Sequence, residues 1–280
     1  MERSLAAAVS GINADQTYLD AIGNNIANSD TDGYKQQNVE FSELLTQQVV
    51  GGTAPSPPAL GGINPAAIGS GVQVAGVAQD QSEGPLVQTA VPSNAAIQGQ
   101  GFFVVDYNGQ QLYTRAGDFS LDAKGELVTP SGGLVQGWSG STTTGATSPV
   151  VVQLGSYKSG TSGPTLQSYS ISANGQVVGT YSDGSTAVIA TIALASFPNP
   201  SGLSDLGNGY YAASPNSGAA SVVAPGASGT GTLVGGAVEG SNVNLAQQLT
   251  DLVDAQTNYE ANTKVVGTTA QVLQSLVQMP

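Results

Sequence analysis

Asp30 with Asp32, and Asp118 with Asp122, are the carboxylate pairs whose spacing most invites a chemical reading in this sequence of 280 residues. A glycosidase sets two carboxylates about 5–10 Å apart across a cleft. A calcium loop opening at Asp30 needs a bidentate glutamate at its twelfth position, and that position is Phe41. Asp30 and Asp32 sit among Asn, Ser, Thr and Gly, and Asp118 and Asp122 lie close to Gly117 and to Lys124-Gly125, settings in which aspartate ordinarily shapes turns. The chain has no Cys and no His. That removes thiol nucleophiles, most zinc sites and the usual general base. The glycine-rich stretches "GQGFF" and "GGINPAAIGSG" lack the lysine and strand–helix setting of a phosphate loop. The sequence therefore predicts no enzyme, no cofactor and no metal centre.

Composition narrows the class further. There are 38 Gly and 14 Pro, 9% of residues are charged, and the net charge is −13 with six basic residues. A nucleic-acid partner needs a basic footprint, which this chain lacks. A charge-poor, turn-rich chain of this kind points to a β-rich or assembling protein. No run of about 18 apolar residues exists, so no membrane insertion is expected. The short Ala-rich start continues into a longer periodic pattern with Asp15 and Asp20, which argues against a cleaved signal peptide.

Two elements dominate the periodicity. Leu5, Val9, Ile12, Gln16, Leu19, Gly23 and Ile26 alternate steps of four and three, a heptad seam predicting a helix over about 2–27. The run Asn28-Ser29-Asp30-Thr31-Asp32-Gly33 stops it. Near the other end, Leu245, Leu249, Leu252, Gln256, Tyr259, Thr263, Val266, Ala270, Leu273 and Val277 repeat the same steps, with Asn244 placed as N-cap. Two helices sharing one seam pattern are expected to pair.

Between them the period changes to two. "GFFVVDY", "QLYTR", "GELVT", "GQVVGTYS" and "TAVIATIALASF" read as strands, with Asn108-Gly109, Lys124-Gly125, Asn174-Gly175 and Asp183-Gly184 as turns. The expected fold class is α+β: terminal helices paired in a coiled-coil-like core over 1–30 and 240–280, and a mainly antiparallel β domain over 80–239. Residues 31–79 are expected as a connecting region with a Gly/Pro-rich loop. Residues 139–168 are expected as a low-complexity loop.

The faces opposite the two seams carry Ser10, Asn13, Thr17, Asn24 and Asn28 on one helix, and Gln247, Gln248, Asn258, Asn262, Thr268, Gln271 and Gln274 on the other. Exposed helix faces ordinarily alternate Lys and Glu. Neutral amides are far cheaper to bury than charges when their partners are matched. A lone helix pair buries little against roughly 1–2 kcal/mol of backbone entropy per residue. The helices are therefore expected to gain order from contacts between copies of the chain.

"LDAIGNNIANSDTDGYK" (19–35) resembles the N-terminal signature of the bacterial flagellar rod and hook proteins. "AIQGQGFFVV" (96–105), "YTRAGDFSLDAKGELVTPSG" (113–132) and "EGSNVNLAQQLTDLVDAQTNYEANTKVVGTTAQVLQSL" (239–276) are similar to further motifs of that family, in the same order. The motif positions are Asn24, Asn25, Asn28, Gly33, Tyr34, Lys35, Gly99, Gly101, Phe102, Phe103, Ser241 and Asn242. Within the family, "LVQGW", "GGINPAAIGSGV" and "EGSNV" look more like the hook than the distal rod. The further outer domain that many hooks insert near 139–168 is missing.

The resemblance implies a structural subunit of a hollow helical homopolymer. Its function is expected to be that of a short hook subunit coupling rod to filament, with the distal rod as alternative. An extracellular β-rich adhesin or binding module is the alternative from another class. The implied partners are other copies of the chain, the distal rod, hook cap and hook–filament junction proteins, and the type III export apparatus. The implied location is the extracellular hook or the basal body, reached without a cleaved signal. Phe41 and Leu45 fit an export-gate pattern of this family.

Overall fold

The computed structural model describes residues 2–54, 62–141, 143, 145–152, 163–227 and 229–278. Two compact units emerge. One comprises Met1–Ala27, Gln37–Gln79 and Asn244–Pro280; the other comprises Asn28–Gln36 and Asp80–Val243. Parts of the expected Gly/Pro-rich loop within 31–79 (residues 55–61) and of the expected loop at 139–168 (residues 142, 144 and 153–162) lie outside the described residues.

In the first unit, helix α1 runs Glu2–Ala27 and helix α2 runs Leu245–Val277. Asn244 caps α2 as expected, its Oδ1 accepting from the backbone N–H groups of Ala246 (3.1 Å) and Gln247 (3.3 Å). The connecting region departs from expectation. It folds into strands β1 (Gln37–Glu43), β2 (Thr46–Val50), β3 (Ala66–Gly69) and β4 (Val72–Gln79), with β1 antiparallel to β4 and β2 antiparallel to β3. The β2–β3 ladder escapes a sequence reading because Gly and Pro fill its tip and every residue of both strands is exposed. No buried face imposes a period-two pattern on it. Among the described residues, no helix is long and apolar enough to cross a membrane.

The second unit is built on strands β5 (Leu86–Gln88), β6 (Ala95–Gln98), β7 (Phe102–Tyr107) and β8 (Gln110–Thr114) and on further strands to residue 239. Every strand pair in it is antiparallel. The main sheet runs Leu166–Ile171, Gln176–Tyr181, Thr186–Ile192, Leu134–Ser139, β7, β8, Tyr210–Ala212 and Ser204–Gly207 in neighbour order. Asn108 and Gly109 both take positive φ (55° and 78°), the geometry of a tight turn whose twist matches the β7–β8 hairpin.

β7 shows why "FFVV" reads as an unbroken apolar run. Phe103 and Val105 enter one core with Phe119, Leu127, Val135, Ile192 and Leu194. Phe102 and Val104 enter another with Tyr113, Trp138, Phe197 and Tyr211. A strand buried on both faces has no polar side to alternate. One of the suspect aspartates takes a backbone role: Asp122 Oδ1 accepts from the N–H groups of Lys124 (2.8 Å) and Glu126 (2.7 Å), an ordinary turn device. Asp118 differs: its Oδ1 is buried without a hydrogen-bond partner, and burial raises its carboxyl.

Candidate functional site

The helix pair in the first unit closes along a different line from the expected seam. On α1 the buried residues are Ala8, Gly11, Ala14, Ala21, Ile22 and Asn25. On α2 they are Gln248, Ala255 and Thr269. Leu5, Ile12, Leu19, Ile26, Leu252, Tyr259 and Val266 are half-buried at the flanks. Val9, Gln16, Gly23, Leu245, Leu249, Gln256, Leu273 and Val277 are exposed. The observed line on α1 sits one residue from the expected one, a rotation of about 100° about the helix axis. Small residues let the two backbones approach closely, so the pair closes on Ala and Gly. The larger aliphatics are left facing out.

Two polar contacts tie this small-residue line together. Asn25 Nδ2 donates to Gln248 Oε1 at 3.0 Å, with Gln248 only 2% exposed. The same carboxamide bonds the backbone of Gln37, donating to its carbonyl (2.8 Å) and accepting from its N–H (2.9 Å). About four turns further along α2, Asn262 Nδ2 donates to Asp15 Oδ2 at 2.9 Å. Asn262 lies over Gly11, where a Cβ would come within 2.7 Å of its Nδ2. Gln248 and Asn262, expected opposite the seam, are thus between the helices. Asn24 stays exposed, with a weak contact to Gln37 Oε1 at 3.4 Å.

The exposed surface of α2 carries large aliphatics among its amides, hydroxyls and charges. Leu249, Val253, Val265, Val272, Leu273 and Val277 are all exposed, Val277 at 86%. Phe41, at a bulge in β1, stands edge-to-face with Tyr18 at 5.8 Å, and Leu45 is 87% exposed. Val49, Val50, Ile63 and Ile68 add exposed apolar surface near the β2–β3 hairpin.

In the second unit, several motif residues converge on one buried ionic node. Lys35 Nζ donates to Glu239 Oε1 at 2.7 Å and to the Ser82 carbonyl at 2.5 Å. Arg115 Nη1 reaches Glu239 Oε2 at 3.1 Å, and Nη2 donates to the Gly99 carbonyl at 2.9 Å. The Gly84 N–H also donates to Glu239 Oε1 (2.9 Å). The Arg115 guanidinium lies 5.4 Å from the centre of the Phe102 ring. Burial pulls the Lys35 ammonium below its ordinary value, and Glu239 acts against that pull.

The remaining motif positions support this node. Gly33, at φ +70°, donates its N–H to the Glu239 carbonyl at 2.6 Å. Asn242 Oδ1 accepts from the Gln36 N–H (2.7 Å), and its Nδ2 donates to the Asp80 carbonyl (2.9 Å). Gly99 and Gly101 also hold positive φ, and Phe102, Phe103 and Ser241 are buried. Asn28 accepts from Thr31 and closes the turn after α1. Tyr34 is half-buried, and burial together with Asp205 pushes its phenol up to about 12. Sequence reasoning did not single out Arg115 or Glu239. The available signal was a lone acid in an otherwise apolar strand, in a chain with so few bases to pair it.

Three family models match this chain. Residues 96–179 match the flagellar hook protein FlgE/F/G D1 domain. Residues 234–279 match the flagellar basal body rod FlgEFG protein C-terminal region, and residues 5–35 match the flagella basal body rod protein. The flagellar basal-body rod protein FlgG of Bacillus subtilis is 36% identical over 281 residues, 100% of this chain and 99% of that protein. FlgG of Agrobacterium fabrum is 36% identical over 98% of each chain. The flagellar hook protein FlgE of Treponema pallidum is 42% identical over 139 residues, covering 49% of this chain and 30% of that protein.

Proposed function

Because the chain belongs to the family of flagellar basal-body rod and hook proteins, we propose that it is a structural subunit of the rod, assembling through its helix pair. The carrying observation is colinearity: rod relatives match end to end over 98% or more of both chains. Hook relatives match less well. FlgE of Treponema pallidum shares only 30% of its own length. FlgE of Borreliella burgdorferi, although matched end to end, is 24% identical over 441 aligned positions, so it carries long insertions relative to this chain. This moves the balance from the hook, favoured by short motifs, towards the rod. The exposed aliphatics of α2 and the exposed β2–β3 hairpin support assembly between copies, since a two-stranded hairpin is marginal alone in water. In this reading the partners are further copies and adjoining axial proteins. Phe41 and Leu45 serve the export apparatus while the chain is unfolded.

The test is complementation combined with electron microscopy. The gene is expressed in flagellated bacteria lacking either the distal rod protein or the hook protein. Straight, rigid tubes and rescue of the rod-deficient strain are expected. Curved, bendable tubes with rescue of the hook-deficient strain would return the assignment to the hook. Tubes that form in neither strain, from a chain that stays monomeric at high concentration, would remove the assembly reading.

A further inference from the structure

Gly11 and Asn25 are fourteen residues apart on α1, and Gln248 and Asn262 are fourteen apart on α2. The two polar contacts between the helices are therefore separated by two heptads on each side. The rest of the contact line is mostly alanine and glycine. Ala7, Ala14 and Ala21 recur every seven residues, so the alanine part of the line offers nearly the same surface after a slip of one heptad and does not by itself fix the pairing.

We propose that Asn262 and Gln248 are the register-determining residues of the helix pair, and that they confine α2 to the α1 of its own chain in one antiparallel alignment. Asn262 needs the hole left by Gly11 and the carboxylate of Asp15 one turn away. Gln248 is buried and needs the Asn25 carboxamide, itself held on both sides by the Gln37 backbone. A slip of one heptad in one direction sets Asn262 opposite Tyr18. In the other direction it sets Gln248 opposite Tyr18. Either way a bulky ring meets an amide whose partner is gone. An unpaired buried amide is penalised more heavily than the aliphatic contacts it replaces, and single polar residues in helix seams are known to fix alignment. With register set by small residues and amides, the aliphatics of α2 are not needed to close the pair. This inference concerns pairing within one chain and holds for a rod or a hook subunit alike.

The test uses the full chain at a dilution where it is monomeric, with spin labels at the exposed positions Arg3 and Gln256. In the observed alignment these are separated by roughly 20 Å along the axis, and a one-heptad slip moves them by about 10 Å. The parent chain is expected to give a single narrow distance. Asn262→Asp, which sets a carboxylate against Asp15, and Gln248→Leu are each expected to broaden or split it. In the same two variants, mixing singly labelled chains is expected to produce an interchain signal. The exchanged pair Asp15→Asn/Asn262→Asp restores a donor–acceptor contact with its direction reversed, and should restore the narrow distance. A narrow distance in both single variants would overturn the proposal. So would failure of the exchanged pair to improve on Asn262→Asp, including a variant that loses helix by circular dichroism and is not rescued.

Discussion

Lys35 Nζ and Glu239 Oε1 meet at 2.7 Å across 204 residues of chain, with both side chains fully buried. Arg115 shares the same carboxylate from a third segment. Two cations and one anion are thus withdrawn from water together. The backbone carbonyls of Ser82 and Gly99 take up further donors and offset part of that cost, while Arg115 Nε stays buried without a partner.

Glu239→Gln should therefore be severe. It leaves two buried cations with no counter-charge, and breaking a buried pair from one side costs about 3–5 kcal/mol. Urea denaturation followed by Trp138 fluorescence reports this unit directly, because that ring is in its core. A loss under about 1 kcal/mol, well below the cost of an uncompensated charge, would mean the node is not the fastening it looks like.

Gly33→Ala tests the approach beside that node. The residue holds φ +70°, and a Cβ there would lie 2.6 Å from the Ala116 backbone nitrogen. Backbone, unlike the end of a flexible side chain, has little room to yield. The penalty should exceed the ~1–2 kcal/mol that a left-handed conformation alone costs a residue with a Cβ. Gly109→Ala, whose Cβ would meet nothing within 4 Å, isolates the part due to φ alone.

Alkaline stability should depend on Tyr34. Burial, followed by the charge of Asp205, raises its folded value from 10.0 to about 12. A folded value above the unfolded one stabilises the fold fully below pH 10. That contribution is lost as pH rises through the window from 10 to about 12. Tyr34→Phe should flatten the fall of the denaturation midpoint in that window. Tyr211, raised in the same direction by burial, keeps some slope in the variant. Lys35 acts in the opposite sense, its folded value being lowered, so its burden on the fold eases as pH climbs.

Assembly and monomer stability should separate at the outward face of α2. Leu249 and Val253 lie one turn apart and are 49% and 57% exposed. Replacing both with Glu should shift the monomer's stability by no more than about 0.5 kcal/mol per site. Sedimentation should show polymer formation abolished in the same variant. Normal polymers from it would place the contact between copies elsewhere.

Much of this architecture is legible in the residues themselves. The heptad steps, the polar stop at 28–33 and the Asn244 cap fixed both helices to within a residue or two, because helix formation is local. The Asn108-Gly109 turn likewise announced the β7–β8 hairpin, since few residue pairs accept two positive φ angles. The β2–β3 hairpin was not legible, for want of a buried face. The second unit's motif glycines and asparagines were visible as positions, but their meeting point was not.

What the tertiary structure alone decided is which face of each helix meets the other, and where the buried charges find their partners. A heptad repeat states that a helix has a stripe. It does not say whether the stripe beside it, one residue over and built of Ala, Gly and amides, packs more closely against a given neighbour. That choice depends on the shape of the opposing surface, as Gly11 under Asn262 shows. The ionic node depends on five segments, at Lys35, Ser82–Gly84, Gly99, Arg115 and Glu239, arriving at one point. No local preference encodes that distance, because its energy exists only after the chain has folded around it.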